Sequence, residues 1–220
     1  MSSPLDSSPH APARPRGRPA SPEETLRHQV LQAATALLLD DGYRALSIEA
    51  VAKRAGVAKK TVYRFADNRE QLLAAIVDDW TAGLARAAEI PADEEKDLPQ
   101  ALEALLLSIA ERVLSAEAVG MFKLLINDFP GREQALATYT AHGIRRSASL
   151  LAGWLEERRR RGLLAVDDPA TCADLLLAMA IAEPLRRMAL GLAAPGVDSA
   201  LRARIQAAAR LGCEGMRPVG

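Results

Sequence analysis

The chain has 220 residues, 49% hydrophobic and 4% aromatic, with 28 basic side chains balanced by 28 acidic ones. That length can bury a core as one large domain or as a small one joined to a larger one, and the balance excludes an overall polycation or polyanion. No run of 18 uncharged apolar residues occurs, which excludes an apolar membrane span, and residues 1–20 lack the apolar stretch of a secretory leader, so a cytoplasmic location without membrane contact is expected.

Leucine and alanine dominate, and strand-length runs with period-two alternation are hard to find, which predicts an all-α fold. Cys172 and Cys213 stand alone without CxxC spacing, and His10, His28 and His142 are scattered. Neither a disulfide framework nor a metal site is indicated, and no cofactor is expected. No Ser/His/Asp or Cys/His arrangement, no paired carboxylates and no phosphate-cradling glycine loop appear, so an enzyme is not expected.

Residues 1–20 are Ser, Pro, Ala and Arg with little to bury, and read as a disordered basic arm. Ser21-Pro22-Glu23-Glu24 then offers a cap serine, a proline at the first helical position and a glutamate that can bond back, opening a first helix that Gly42 ends. Ser47 caps a two-turn helix carrying Ile48, Val51, Ala52 and Ala55 on one face, and Gly56 breaks it. A short helix follows from about Ala58 to Phe65. Ala58, Val62 and Phe65 share one face, and Lys59, Lys60, Tyr63 and Arg64 share the other. Asn68 caps a fourth helix with Leu72, Leu73, Ile76, Val77 and Trp80 in its stripe, expected to run until just before Pro91. Five longer helices follow near 98–115, 117–129, 132–161, 168–190 and 198–212, with Pro184 inside the fourth of these predicting a kink. The division is residues 1–20 as arm, 21–70 as a three-helix unit with a two-helix motif at about 47–66, and 71–220 as a helical bundle, about nine helices in all.

From Lys53 to Arg69 the chain carries six basic side chains, two aromatic rings and one acidic residue. Two short helices joined by a glycine turn, the second with a basic outer face, have the spacing of a helix-turn-helix. DNA recognition needs these residue types: Lys and Arg displace counterions from phosphates, hydroxyls and helix N-termini fix register, and side chains at the start of the second helix reach base edges in the major groove. A merely solvated face would mix charges for i,i+4 pairs. Here the outer face is expected to have no acidic partner within the chain.

The stretch LSIEAVAKRAGVAKKTVYRFADNREQLLAAI resembles the N-terminal signature of the TetR family of transcriptional regulators, over about residues 24–80. The resemblance implies phosphate contacts from Ser47, Thr61 and Arg69, base reading by Lys59 and Lys60, and a groove-side Arg64. Tyr63 matches the family tyrosine that touches the backbone or a thymine methyl, with packing between helices as the alternative. Two positions depart from the pattern: Ala58 replaces the serine that usually caps the recognition helix, so that the cap comes from elsewhere or is lost at a cost of about 1 kcal/mol, and the ring at Phe65 stands one place early. In the arm, Arg14-Pro15-Arg16-Gly17-Arg18-Pro19 resembles an AT-hook core whose Arg16 and Arg18 would lie in a narrow minor groove, or else forms a loosely bound basic tail.

Such a unit reads two half-sites as a homodimer on an operator of double-stranded DNA. The last two helices, around Leu175, Leu176, Met179 and Ile181 and around Leu201, Ile205 and Ala208, are the candidate dimer surface or part of the chain's own core. The middle helices could enclose an apolar pocket for an unknown small-molecule effector, with Met121, Phe122, Leu125, Phe129 and Trp154 as walls and Asn127 or Glu183 as polar contacts, or these residues are ordinary core. The expected function is a homodimeric, ligand-responsive DNA-binding regulator, in this family most often a repressor, with the fourth helix as lever. The alternative is a helical protein-binding adaptor or ligand-binding protein without DNA affinity.

Overall fold

A computed structural model describes residues 22–82, 84, 88–89, 94–127 and 129–218. Among the described residues the fold is all-α, with nine helices and no strand. The first four are α1 (Pro22–Asp41), α2 (Ile48–Ala55), α3 (Lys59–Val62) and α4 (Arg69–Thr81). They are followed by α5 (Leu98–Val113), α6 (Ala116–Ile126), α7 (132–160), α8 (169–189) and α9 (Ser199–Gly215).

Local chemistry sets most of the starts. Pro22 opens α1, Asn68 Oδ1 accepts from Gln71 N at 2.9 Å to open α4, and Ser115 Oγ accepts from Ala118 N at 3.1 Å to open α6. Asp168 accepts from the amides of Ala170 and Thr171 ahead of α8, where Pro169 takes the first helical position. The cap expected from Ser21 lies outside the described residues.

Two helices are not regular throughout. α7 consists of Arg132–Tyr139 and Arg145–Arg160 joined by a π turn at Thr140–Ile144, and α8 of Pro169–Leu177 and Glu183–Ala189 joined by a π turn at Ala178–Ala182. The irregularity expected at Pro184 therefore takes the form of a widened turn ahead of it. Proline cannot donate to the carbonyl four residues back and its ring crowds that carbonyl, so the helix resumes with Pro184 in a first turn that needs no such donor. α4 is shorter than its apolar stripe predicted. Thr81 Oγ1 donates back to the carbonyls of Val77 and Asp78, and Ala82 takes an extended conformation.

Buried side chains form two cores. One gathers Val30, Leu38, Val51, Val62, Leu72 and Ile76 from α1–α4 and is closed by Met121 and Leu125 of α6 and Ala135 and Tyr139 of α7. The other gathers α5, α8 and α9 with the second half of α7 around Leu102, Ile109, Trp154 and Ile205. α4 lies where the two meet.

Candidate nucleic-acid interface and effector cavity

Ser47, in extended backbone, accepts from Ala50 N at 3.2 Å to start α2, and its hydroxyl proton remains available to an acceptor outside the chain. α2 ends at Gly56, whose φ of 66° is the left-handed turn that a side chain would disfavour. α3 follows after two residues. Val62 is fully buried and Ala66 nearly so, while Phe65 packs half-buried against the same core, which fixes α3 on α1 and α2. Of the two outcomes open at Ala58, a cap from elsewhere or none, the structure has no side chain capping α3.

With that face anchored, Lys59, Lys60, Tyr63 and Arg64 are exposed, Tyr63 at 49% of its surface, and Thr61 is half-buried. The expectation that this face has no acidic partner is overturned. Lys59 Nζ lies 2.8 Å from Glu49 Oε1, Arg64 Nη2 lies 2.8 Å from Glu23 Oε1, and Arg54 pairs with Asp40 and Asp41. The partners come from the first turns of α2 and α1 and from the end of α1, not from i,i+4 positions on α3, so helix-face counting missed them. The hydrogen bond between Lys59 and Glu49 holds the carboxyl below and the ammonium above its ordinary range. Lys53 and Lys60 have no ion pair among the described residues.

Arg69 is committed within the fold. Its Nε donates to Leu46 O at 2.7 Å and its Nη2 to Arg44 O at 3.1 Å, and its guanidinium lies over the Tyr43 ring at 5.4 Å. Arg16 and Arg18 lie outside the described residues.

None of the seven residues expected at a ligand lines the apolar cavity between the two cores, Phe129 being half-buried against the first of them. Met121 and Leu125 belong to the first core and Trp154 to the second, Phe122 is half-buried, Asn127 is exposed with its amide on Lys123 O, and Glu183 pairs with Arg186. The cavity, about 220 Å³, lies at the junction of the cores between α4, α5, α7 and α8. Both π turns face it: Gly143 and Ile144 from one, Ala178, Ile181 and Ala182 from the other. Val77 and Trp80 bring α4 onto its wall, and Arg112 and Ser147 add polar groups that sequence reasoning missed. Ser147 did leave a signal, as a polar residue at four-residue spacing on the apolar face of Gly143 and Leu151.

On the last two helices, the proposed dimer residues divide. Leu176, Ile181, Leu201, Ile205 and Ala208 are buried in the chain's own core, whereas Leu175 and Met179 are exposed one turn apart, at 59% and 38%, and Leu211 is exposed on α9. No described helix is long and apolar enough to cross a membrane.

Residues 30–76 match the model for bacterial regulatory proteins of the tetR family, and residues 100–213 match that for the C-terminal domain of AefR-like transcriptional repressors. The chain is similar to the HTH-type transcriptional activator FasR of Mycolicibacterium smegmatis, 32% identical over 87 residues, which span 38% of this chain and 40% of that one. It is also similar to the uncharacterised HTH-type transcriptional regulator YvkB of Bacillus subtilis, 24% identical over 168 residues, 74% of this chain and 83% of that one. Among solved structures, the flavonoid-responsive regulator FrrA superimposes with a TM-score of 0.68 at 25% identity, covering 89% of this chain and 99% of that one.

Proposed function

The chain belongs to the TetR family of bacterial regulatory proteins, DNA-binding regulators of transcription, and from that premise we propose that it is a homodimeric repressor released from its operator by a small apolar or amphipathic effector. The observation that carries the DNA half of this reading is the exposed outer face of α3, where Lys60 has no acidic partner among the described residues and Tyr63 shows half its surface. Lys59, Lys60, Tyr63 and Arg64 enter the major groove, Ser47 and Thr61 bond phosphates, and Arg69 holds the start of α4 against the loop before α2 instead of reaching out. Leu175, Met179 and Leu211 pack against their copies in the dimer, which sets the half-site spacing.

Repression is favoured by the description of the matching C-terminal model, and response to a small molecule by the cavity. An occupant there touches Val77 and Trp80 of α4, the helix that follows α3, so any difference in its affinity for two positions of α4 becomes a difference in DNA affinity.

The test is fluorescence anisotropy with the DNA upstream of the chain's own gene and a shuffled control, at 50 and 200 mM salt. Lys60→Ala should weaken binding and lower the salt slope by about one, and Tyr63→Ala should weaken binding to the specific DNA more than to the control. Binding unchanged in both variants would remove α3 from the interface; no salt-sensitive binding at all would favour a protein-binding adaptor.

A further inference from the structure

The cavity at the junction of the cores carries one charge and one unsatisfied hydroxyl. Among its lining residues Arg112 is the single ionisable cation, and no Asp, Glu, Lys or His accompanies it. Arg112 has no carboxylate partner among the described residues; its Nη1 donates to the Trp80 carbonyl at 3.2 Å, and the remaining guanidinium N–H groups are uncommitted. Arg112 also borders a neighbouring groove that holds Asp79, Glu111 and Glu117 but pairs with none of them; on its apolar side the half-buried guanidinium favours a monoanion beside it.

Ser147 is 95% buried, lines the same cavity, and its Oγ has no hydrogen-bond partner. Buried hydroxyls are nearly always paired, so an unpaired one on a cavity-lining residue is where a ligand atom completes the bond once rotation about χ1 brings its enclosed oxygen onto the cavity wall. Thr81, the neighbouring hydroxyl, is satisfied by carbonyls of its own helix. Tyr139 supplies a ring whose phenol burial keeps neutral, so it brings no competing charge.

Size narrows the class. About 220 Å³ falls below the 300–1,000 Å³ typical of pockets for drug-sized ligands and somewhat above the ~150 Å³ cavity that accepts benzene. A single ring with a small substituent fits.

We infer that the cavity binds a small apolar carboxylic acid, of the size of a monocyclic aromatic acid, with its carboxylate on Arg112 and a hydrogen bond to Ser147 Oγ. The inference rests on the reading of this cavity as the effector site, and it names the chemistry that reading leaves open. Arg112 is the anchor that selects anions, and Ser147 adds orientation.

Calorimetry with the full chain tests it, using benzoate, benzyl alcohol and benzylamine as matched probes of one ring bearing a negative, neutral or positive group. Benzoate should bind at least about tenfold more tightly than benzyl alcohol, as a charge-assisted pair demands, and benzylamine should not bind detectably. Arg112→Met, which keeps the apolar stem, should bring benzoate within about twofold of benzyl alcohol. Ser147→Ala should weaken benzoate several-fold while keeping the preference for the anion. Ala182→Phe, at the exposed edge of the cavity, should abolish binding of all probes without lowering the melting temperature, and it guards against misreading an unfolded Arg112 variant.

Equal affinity for benzoate and benzyl alcohol, a preference that survives Arg112→Met, or binding unaffected by Ala182→Phe would each overturn the assignment, as would no binding of any probe by a protein that still binds its DNA. Anisotropy on the operator complex separates the two levels. Benzoate that binds with the expected preference yet leaves the DNA complex intact refutes the effector reading and supports the carboxylate site.

Discussion

The Lys59 ammonium and the Glu49 carboxylate meet at 2.8 Å on an exposed surface, so their contact adds little to folding. Its consequence is competition, because a DNA phosphate and Glu49 want the same cation, and the same holds for Arg64 and Glu23. Glu49→Gln and Glu23→Gln should therefore tighten operator binding, each by about three- to tenfold at 50 mM salt, with the gain shrinking toward 200 mM as screening weakens both attractions. Anisotropy titrations at the two salts read this directly, and equal affinities for wild type and variants at low salt would show that the pairs do not compete with phosphate. Arg69 behaves in the opposite sense, since its guanidinium donates to two carbonyls of the segment before α2. Arg69→Ala should lower stability by about 1–3 kcal/mol, and Arg69→Lys should recover only part of it because an ammonium lacks the planar fork; urea melts without DNA measure both. The residue types of this surface were legible in the sequence because a cluster of Lys, Arg and Tyr on one face of a short helix has few other uses. Their partners were not: Glu23 is 41 positions from Arg64, and that pairing exists only once α1 and α3 are packed.

Helix starts were readable because a cap is local chemistry, complete within four residues, as at Ser47, Asn68 and Asp168. α3 is the exception, beginning at Ala58 with φ −70° and ψ 147°, a cap-compatible backbone without a side chain to use it. Ala58→Ser should place a hydroxyl against the amides of the first turn, of which Thr61 N already donates to the Ala58 carbonyl at 2.8 Å, and stabilise the protein by about 0.5–2 kcal/mol. The check is a shifted urea midpoint at constant slope, and an unchanged midpoint would mean that neighbouring groups or water already satisfy those amides. The π turns were not readable. An extra residue within one turn leaves the apolar stripe of α7 or α8 intact on either side, and nothing in the residue types at Thr140–Ile144 signals the wider hydrogen-bonding register. The same widening hides the cavity from the residue pattern. The large residues Met121 and Trp154 fill the cores and Phe122 is half-buried, whereas the space opens beside small ones: Gly143, whose added Cβ would come within 3.2 Å of Val77, together with Ala178 and Ala182.

At the scale of the molecule, packing runs across the division placed after residue 70. Met121, Leu125 and Tyr139 close the core that α1–α4 begin, and the cavity draws walls from both cores, with Val77 and Tyr139 from one and Ile109 and Ile181 from the other. An occupant is thus held by two bodies at once, the arrangement in which a small ligand has most leverage on their relative position. The second core carries its own reporter. Burial in an apolar environment, with Glu214's charge adding to it, pushes the Cys213 thiol up to about 11 from an ordinary value of 9.0. Between those values the unfolded chain releases a proton that the folded chain retains, so the unfolded state gains free energy with pH and stability falls. Below pH 9 the two states bind this proton equally and the contribution is complete. Tyr43 and Tyr139, whose phenols are also raised by burial, push the alkaline limb the same way, so the thiol must be isolated by comparison. Urea melts of wild type and Cys213→Ala at pH 7.5, 9.5 and 10.5 should show a difference that is constant up to pH 9 and then moves in favour of the variant. With a thiol-reactive chromophore at pH 8, half-exposed Cys172 should react first, and Cys213 should react only at the rate of global opening, accelerating with denaturant in step with unfolding. Reaction of Cys213 as fast as Cys172 would mean that the core around α9 opens independently of the rest of the molecule, and the two cores would then be unable to act on each other through the cavity between them.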